Sequence, residues 1–540
     1  MVVDRARSAV PLWVGAVTGV VAAAAGIAAG ELVAGVDERL RGPIAAVGDR
    51  VIDVTPTAVR SWAIDTFGTS DKVVLLSGVV ILLAVAAAAI GIVATRRSIT
   101  AGLVGVGAFT VVGVLASLGR GGTGWARPVP PLVAGAVAGW VLVVLARSAA
   151  AAWDDRPGRP AEVAKPASAT DPVQVSGTGL LLVPGAGADR RRFLQLGAGI
   201  VGAAVVAGGV GRWLQQRGVA VAERLKVVLP GPTRPLPAVP ATVHARGAVP
   251  FITSNDDFYR IDTALVVPRV STDGWHLEVM GRVDKPVTLT YAELLDRPMV
   301  EADITISCVS NEVGGDLIGT ARWLGCRLDD LLDEAGVDPS ADQVVGRSVD
   351  GFTAGFPTAL LDGRPALVAV GMNGDPLPID HGYPARLIVP GVYGYVSATK
   401  WLRQIELTRF DEFDAYWIPR GWSRLGPIKT QSRIDTPRQG KVLTAGQSTA
   451  IAGVAWAMDR RISKVEVRIG TDGEWQEATL ADELNDTTWR QWHLAWTPGV
   501  GEHTITVRAT DGEGVTQPEE RSDVAPDGAT GWHTIRVRAT

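Results

Sequence analysis

The amino-acid sequence predicts a multi-domain protein with an N-terminal α-helical transmembrane bundle, a central α+β domain and a C-terminal β-sandwich of immunoglobulin type. Three observations support this fold class. Long apolar runs occupy the first 210 residues, short apolar strands alternate with a helical stretch at residues 245–410, and short alternating segments follow residue 411. A chain of 540 residues with 47% hydrophobic residues is too long for one domain and too apolar to be wholly soluble.

The N-terminal part contains five apolar runs that approach the length needed to cross a bilayer, which is about 20 helical residues. The fourth run is short unless it extends to residue 152. Four runs predict a four-span region at residues 1–153, and the last predicts a separate span at residues 193–212. The runs cover residues 11–30, 73–94, 99–118, 131–145 and 193–210.

Arginines beside these runs predict the orientation of the protein. Arg5 and Arg7 precede the first run, and Arg96 and Arg97 separate the second from the third. The positive-inside rule then places the N-terminus and the linker at residues 154–192 in the cytoplasm and everything after the fifth span outside it. We therefore expect a multi-pass cell-membrane protein with an extracytoplasmic C-terminal part.

The linker ends in three arginines, residues 190–192, directly before the fifth apolar run. This segment resembles a twin-arginine export signal placed inside the chain. The alternative is that the arginines only anchor the span on its cytoplasmic side.

Composition excludes several classes of function. The net charge of −4 and the absence of a basic cluster exclude a nucleic-acid partner. Two cysteines cannot form a disulfide framework or a cysteine-ligated zinc or iron–sulfur site. All six histidines follow the last span, so we expect no intramembrane haem in this chain and a separate electron-transfer partner.

The part of the chain beyond the spans divides into three predicted segments. Residues 213–244 are Pro-rich and predict a stiff tether that holds the next domain off the membrane. Residues 245–410 predict the α+β domain, with a helix at residues 328–335. In residues 411–540, alternating segments such as 503–510 and 533–540 predict the strands of the sandwich.

Cys308 is the candidate catalytic residue. It follows an alternating strand and precedes a Gly-rich loop, in the run Ile304-Thr-Ile-Ser-Cys308-Val-Ser-Asn311-Glu312-Val-Gly314-Gly315. A thiolate suits a redox-active metal, and no second cysteine stands at chelating distance in the sequence. The metal would therefore need ligands that the protein does not supply. A buried structural cysteine is the alternative at Cys308 and the prediction for Cys326.

Three segments together resemble the sulfite oxidase family of molybdopterin enzymes over residues 245–540. They are the Cys308 run, Pro384-Ala-Arg386-Leu-Ile-Val-Pro390 and Tyr393-Gly-Tyr-Val-Ser397-Ala-Thr-Lys400-Trp401. The resemblance implies that Cys308 and the dithiolene of one pterin hold a molybdenum, within a sulfite-oxidase-type molybdopterin domain. It also implies that the C-terminal domain forms a homodimer interface, and the cytoplasmic insertion of such cofactors favours the twin-arginine interpretation.

The resemblance assigns contacts to the cofactor as well. The turn at residues 255–260 matches positions at the pterin ring edges and phosphate, and His381 matches a polar pterin contact. Arg386 and residues 397–400 match the phosphate site. Ser348 belongs to a loop that lies near the open face of the metal in the family. An ordinary turn at 255–260 and a surface position for Lys400 are the alternatives. The candidate cofactor-binding residues are Asn255, Asp256, Tyr259, Arg260, Ser348, His381, Arg386, Ser397, Ala398, Thr399 and Lys400.

Glu312 departs from the family pattern, because sulfite-oxidising relatives carry arginines just after the metal cysteine. A carboxylate there repels a sulfite dianion unless Arg322 or Arg327 neutralises it. The sequence thus predicts two-electron oxo transfer on a small substrate outside the cytoplasm, as the reduction of an S-oxide or N-oxide. The alternatives are a sulfite oxidase or dehydrogenase, a non-catalytic membrane scaffold that keeps the pterin fold, and a transporter, which the lack of ionisable residues within the first four spans disfavours.

Overall fold

The computed structural model describes residues 10–36, 40–56, 59, 62, 66, 71–118, 126–153, 186–216 and 219–540. The chain forms two compact units, Met1–Gly218 and Val219–Thr540. Most of the predicted cytoplasmic linker, residues 154–185, lies outside the described residues.

The first unit is helical. Its helices pack closely through small residues: a Cβ on Gly19 or Gly91 would overlap the backbone of the facing helix. Five segments are long and apolar enough to cross a membrane: Leu12–Ala34, Val74–Arg96, Ile99–Ser117, Val129–Ala152 and Arg190–Gly211. They coincide with the five predicted runs, the fourth in its extended form. The helices are α1 Leu12–Ala34, α2 Pro43–Val54, α3 Asp71–Arg96, α4 Ile99–Ser117, α5 Val129–Ala152 and α6 Ala186–Gln216.

The second unit begins with a short helix, α7 (Val219–Arg224), and the Pro-rich segment. This segment packs along the central domain, while its predicted role as a stiff tether that holds the domain off the membrane stays a prediction. The Thr233 N–H donates to the Met299 carbonyl over 2.8 Å, and the Leu236 N–H donates to the Glu301 carboxylate over 2.8 Å. Prolines have no N–H to donate, so the segment forms its hydrogen bonds to the domain through the N–H groups of its other residues and through its carbonyl groups.

The central domain contains two sheets with strand orders β2-β1-β10-β5-β6 and β3-β4-β7-β8, and β9 pairs with β7. Helix α9 runs from Leu328 to Ala335 as predicted, because Leu328, Leu331, Leu332 and Ala335 share one buried face. Its elements are β1 His276–Gly281, β2 Val287–Thr290, α8 Tyr291–Leu295, β3 Met299–Ser307, β4 Ile318–Arg327, α9 Leu328–Ala335, β5 Gln343–Ser348, β6 Thr353–Pro357, β7 Leu367–Met372, β8 Asp375–Pro376, β9 Arg386–Ile388, α10 Gly394–Ser397 and β10 Leu402–Thr408.

The C-terminal domain is a two-layer β structure with sheets β11-β13-β17-β16 and β12-β19-β18-β14-β15. Ile451 and Trp492 of the first sheet share one buried core with Val467, Ile505 and Ile535 of the second. The two sheets therefore pack face to face, while the immunoglobulin type stays a prediction. The strands are β11 Gln431–Thr436, β12 Val442–Leu443, β13 Thr449–Trp456, β14 Ile462–Ile469, β15 Trp475–Glu477, β16 Thr479–Leu480, β17 Arg490–Trp496, β18 Gly501–Asp511 and β19 His533–Ala539.

Candidate functional site

Cys308 is the first residue after β3, where the chain enters the loop that leads to β4. Its N–H donates to the Leu317 carbonyl over 2.9 Å, and its carbonyl accepts from the Asn311 N–H over 3.1 Å. The Asn311 side-chain oxygen accepts in turn from the Leu317 N–H over 2.9 Å. These bonds close the loop on itself and fix the backbone that carries the thiol.

The Cys308 thiol is free and only 8% of the residue is exposed. Burial raises the pKa of Cys308, while hydrogen bonds from Ser310 act in the opposite direction. A metal cation at the sulfur would displace the proton and reverse this effect. Cys326 is the second free cysteine; it lies near the end of β4, immediately before α9, and is a core residue as predicted.

Arg386, the first residue of β9, is a buried cation that is 4% exposed. Its guanidinium carbon lies 4.9 Å from the centroid of the Trp323 ring, and its Nη1 donates to the His381 carbonyl over 3.1 Å. Burial lowers the pKa of Arg386 to about 10, and neighbouring Tyr259 acts against that shift. Burial raises the pKa of Tyr259, and the nearby Cys308 adds to the rise. Tyr259 is thus close enough to interact electrostatically with both Cys308 and Arg386.

His381 ties the turn at residues 255–260 to this group. Its Nε2 lies 3.1 Å from the Asn255 carbonyl oxygen, which makes Nε2 the protonated nitrogen. Asn373 holds Asn255 in place by donating to its side-chain oxygen over 2.9 Å. Burial, and then the charge of Arg386, lowers the pKa of His381 to about 4, so the ring is neutral at pH 7.

The lowered pKa of His381 predicts a pH dependence of stability. The unfolded chain takes up a proton near pH 6.5 and the folded chain only near pH 4, so stability is complete above pH 6.5 and falls as the pH drops towards 4. The loss is about 3 kcal/mol at most. In melting curves between pH 4 and 7, His381→Asn should flatten this slope, whereas His503→Asn, at a partly exposed histidine of the C-terminal domain, should not. Equal slopes for His381→Asn and the wild type would contradict the assignment.

Lys400 lies beside this group in a second cluster of charges. Its Nζ donates to Asp262 over 2.8 Å and to the Asp380 carbonyl over 3.0 Å, and the Arg260 Nε donates to the same Asp262 oxygen over 3.0 Å. Burial lowers the pKa of Lys400 to about 8, and Asp262 opposes the shift. Lys400 is therefore not the surface residue that was the alternative. Arg260 also lies 3.6 Å from the Asp380 carboxylate, so two carboxylates face these two cations.

The remaining predicted residues take other positions. Ser397 and Thr399 are buried, and their hydroxyls donate to backbone carbonyls of the chain. Ala398 follows the last residue of α10. Ser348 is buried at the end of β5, where its hydroxyl accepts from a turn N–H over 3.3 Å. Asp256 is exposed.

Glu312 is exposed, and the two predicted neutralising partners are engaged elsewhere. Arg322 pairs with Asp303 over 2.8 Å, because the two stand opposite each other in the register of β3 and β4. Arg327 pairs with Asp329. The structure therefore shows neither of the two possible pairings that would neutralise Glu312.

Sequence reasoning missed the roles of Asp262, Trp323 and Asn373 in this region. Asp262 is 138 positions from its partner Lys400, and Asn373 is 118 positions from Asn255. No local pattern marks such pairs. Trp323 lies in a conspicuous Arg-Trp-Leu segment, but only the structure shows the Arg386 guanidinium over its ring.

Comparisons with known proteins identify the family. The model of the oxidoreductase molybdopterin binding domain matches residues 264–417, and that of the Mo-co oxidoreductase dimerisation domain matches residues 425–540. The uncharacterized oxidoreductase YuiH of Bacillus subtilis (strain 168) is 32% identical over 152 residues, which cover 28% of this chain and 74% of YuiH. The chain belongs to the sulfite oxidase family of molybdopterin oxidoreductases.

Two further relatives extend across both domains of this sulfite oxidase family member. Mitochondrial sulfite oxidase of Homo sapiens is 30% identical over 342 residues, 53% of this chain and 62% of that protein. The NADH nitrate reductase of Hordeum vulgare is 27% identical over 317 residues, 47% of this chain and 35% of that protein. The chain thus spans less than two thirds of the human sulfite oxidase.

The residues near Cys308 fit the molybdenum cofactor of this family. Within the part of the chain that the structure describes, Arg386 Nε and Asn311 Nδ2 are buried donors without a hydrogen-bond acceptor. A buried donor without a partner costs about 1–3 kcal/mol, so both atoms favour a ligand that accepts from them. The buried thiol and the cations Arg386 and Lys400 match the metal and the anionic parts of such a ligand.

Proposed function

We propose that this chain is a membrane-anchored molybdenum–pterin oxidoreductase that carries out two-electron oxo transfer on a small substrate outside the cytoplasm. The observation that carries the proposal is the buried pair Cys308 and Arg386, with the partly buried Tyr259 near both and with buried donors that lack acceptors. When bound, the molybdenum–pterin group supplies the two-electron redox chemistry and the site for the transferred oxygen.

The chain's own residues bind and orient the cofactor in this proposal. Cys308 would hold the metal as a thiolate once its proton is lost. Arg386 and Lys400, with Arg260, hold the phosphate of the pterin group. Tyr259 keeps its phenolic proton because its pKa is raised, and it can therefore donate a hydrogen bond at neutral pH.

We infer that the substrate is a neutral S-oxide or N-oxide. Glu312 lies in the loop after Cys308, and Arg322 and Arg327 do not neutralise it. An exposed carboxylate in this loop raises the free energy of a dianion that approaches Cys308 but leaves a neutral oxide nearly unaffected. Sulfite oxidation is the second candidate, because human sulfite oxidase is 30% identical over both domains.

The proposed membrane location rests on the helical first unit. Five candidate spans support membrane association, and the arginines beside them favour a second unit outside the cytoplasm. Arg190 contacts the end of α5, where its Nε lies 3.4 Å from the Ala152 carbonyl oxygen. That contact suits an anchoring arginine as well as an export signal. Electrons would reach the site from a separate partner, and we expect no haem spectrum from the purified chain.

Metal analysis and a dye-linked assay of the full chain test this function. We expect molybdenum and pterin in equal amounts, reduction of dimethyl sulfoxide or trimethylamine N-oxide by a reduced viologen, and much slower oxidation of sulfite by ferricyanide. A chain that is purified from cofactor-producing cells without molybdenum would be a scaffold. Faster turnover of sulfite than of either oxide would establish the second candidate.

Substitution of Glu312 tests the electrostatic argument for the substrate. Glu312→Arg is expected to lower the KM for sulfite roughly tenfold, or ~1.4 kcal/mol, with little change in kcat, because the side chain acts on approach of the anion. Glu312→Gln should give a smaller change in the same direction, since it removes one charge and adds none. Glu474→Arg, at an exposed position of the C-terminal domain, is the matched control. Sulfite kinetics that are identical in all four proteins would contradict the role of Glu312.

A further inference from the structure

The C-terminal domain reaches the loop that follows Cys308. Arg433 of β11 and His533 of β19 both contact the tip of this loop, at Gly314 and Gly315.

Arg433 holds the loop through its backbone. Its Nη1 donates to the Gly315 carbonyl over 2.9 Å, and its Nε donates to Asp435 over 2.7 Å. The side chains of Arg433 and Asp435 are only 10% and 7% exposed. A buried arginine whose fork is fixed by a carboxylate has little freedom to turn away, so the carbonyl of Gly315 is held in one place.

His533 holds the same tip by packing. Its Nδ1 accepts from the Ile434 N–H over 3.0 Å, which fixes the orientation of the ring. The ring occupies the position that a Cβ on Gly314 would take, and Gly314 has a φ of +79°, a conformation that favours glycine. The glycine thus lets the loop pass directly beneath the imidazole.

The tip is coupled to Cys308 through the hydrogen bonds within the loop. Leu317, two residues after Gly315, accepts from the Cys308 N–H, and Asn311 bonds both the Cys308 carbonyl and the Leu317 N–H. A displacement of Gly314 and Gly315 would therefore strain or break the bonds that fix the cysteine backbone.

We propose that Arg433 and His533 are positioning residues for Cys308, which they hold in place through the tip of the loop at residues 314–315. The C-terminal domain is then a structural part of the metal site as well as a dimerisation domain. The role concerns the loop conformation itself, so it can be tested whether or not the oxo-transfer proposal holds.

Amide hydrogen exchange of the full chain as purified, followed in peptides that cover residues 308–317, tests the role. Arg433→Met and His533→Phe are each expected to speed exchange in this loop roughly tenfold or more relative to β3 in the same protein. Arg433→Met should also lower the melting temperature, because the buried Asp435 carboxylate loses its partner, so the loop is compared with β3 within each variant. Arg433→Lys, which keeps a cationic donor, should restore part of the protection.

Two matched controls separate positioning from general loosening of the domain. Arg508→Met removes a partly buried arginine of β18 that pairs with Glu466 over 2.9 Å, and His503→Phe replaces a histidine of the same strand; neither Arg508 nor His503 has a hydrogen bond to the loop. Both should leave the loop protected. Unchanged loop exchange in Arg433→Met and His533→Phe, or equal acceleration in the controls, would overturn the proposal. If Arg433→Met does not fold, Arg433→Lys and His533→Phe give the same readout.

Discussion

Cys308→Ser is expected to abolish turnover while the protein keeps its fold. A serine hydroxyl is a harder ligand than a thiol and loses its proton far less readily in a buried site, so it cannot replace the thiolate at the metal. We expect kcat/KM to fall on the order of 1,000-fold or more, which corresponds to ~4 kcal/mol of transition-state stabilisation. Dye-linked turnover per bound molybdenum is the measurement.

Cys326→Ser is the matched control for this substitution. Both cysteines are free and buried, but Cys326 lies in the hydrophobic core beneath α9. It should lose about 1 kcal/mol of stability and keep full turnover per metal. A Cys308→Ser protein that retains both molybdenum and wild-type turnover would refute the assignment of the metal ligand.

The sequence was a good guide wherever local pattern decides structure. Helix α9 and the strands around 465–469 and 503–510 follow from side-chain periodicity, and the structure places them there. The position of Cys308 after a strand follows from the same alternation, which ends at Ser307. Each of these features depends only on residues that are close together in the sequence, so it can be predicted from the local pattern of side chains.

Pairings between distant segments could not be predicted in the same way. Arg322 faces Asp303 rather than Glu312 because the register of β3 and β4 places them opposite each other, and the register depends on the whole sheet. The prolines predicted an extended backbone for the Pro-rich segment, but they did not predict that this segment packs against β3. The contact of Arg433 with Gly315 joins residues 118 positions apart in two domains.

The buried polar groups near Cys308 oppose stability in the absence of a ligand. Arg386 is buried with its Nε unsatisfied, and burial lowers the pKa of its guanidinium. Replacement of a buried charged residue by an apolar residue of similar size often leaves the stability of a protein unchanged or increases it. We therefore expect that Arg386 is retained because its charge binds a ligand, although the buried charge lowers the stability of the cofactor-free protein. Both effects can be measured.

Arg386→Met is therefore expected to change stability and cofactor content in opposite directions. The cofactor-free protein should gain about 1–2 kcal/mol, because methionine fills the space beside Trp323 without a buried charge. Molybdenum and pterin content should fall on the order of tenfold or more, since the phosphate loses its most deeply buried cation. Thermal melting of the cofactor-free chain and metal analysis of the protein as purified measure the two effects.

Arg322→Met is the matched control in the same domain. Arg322 pairs with Asp303, whose side chain is only 3% exposed, so its removal leaves a buried carboxylate without its partner. This variant should lose roughly 1–3 kcal/mol of stability and keep its molybdenum content per folded protein. The two arginines thus separate a charge kept for the fold from a charge kept for the cofactor. If Arg386→Met destabilises the chain as Arg322→Met does and retains its molybdenum, Arg386 is a structural residue and the phosphate must be bound elsewhere.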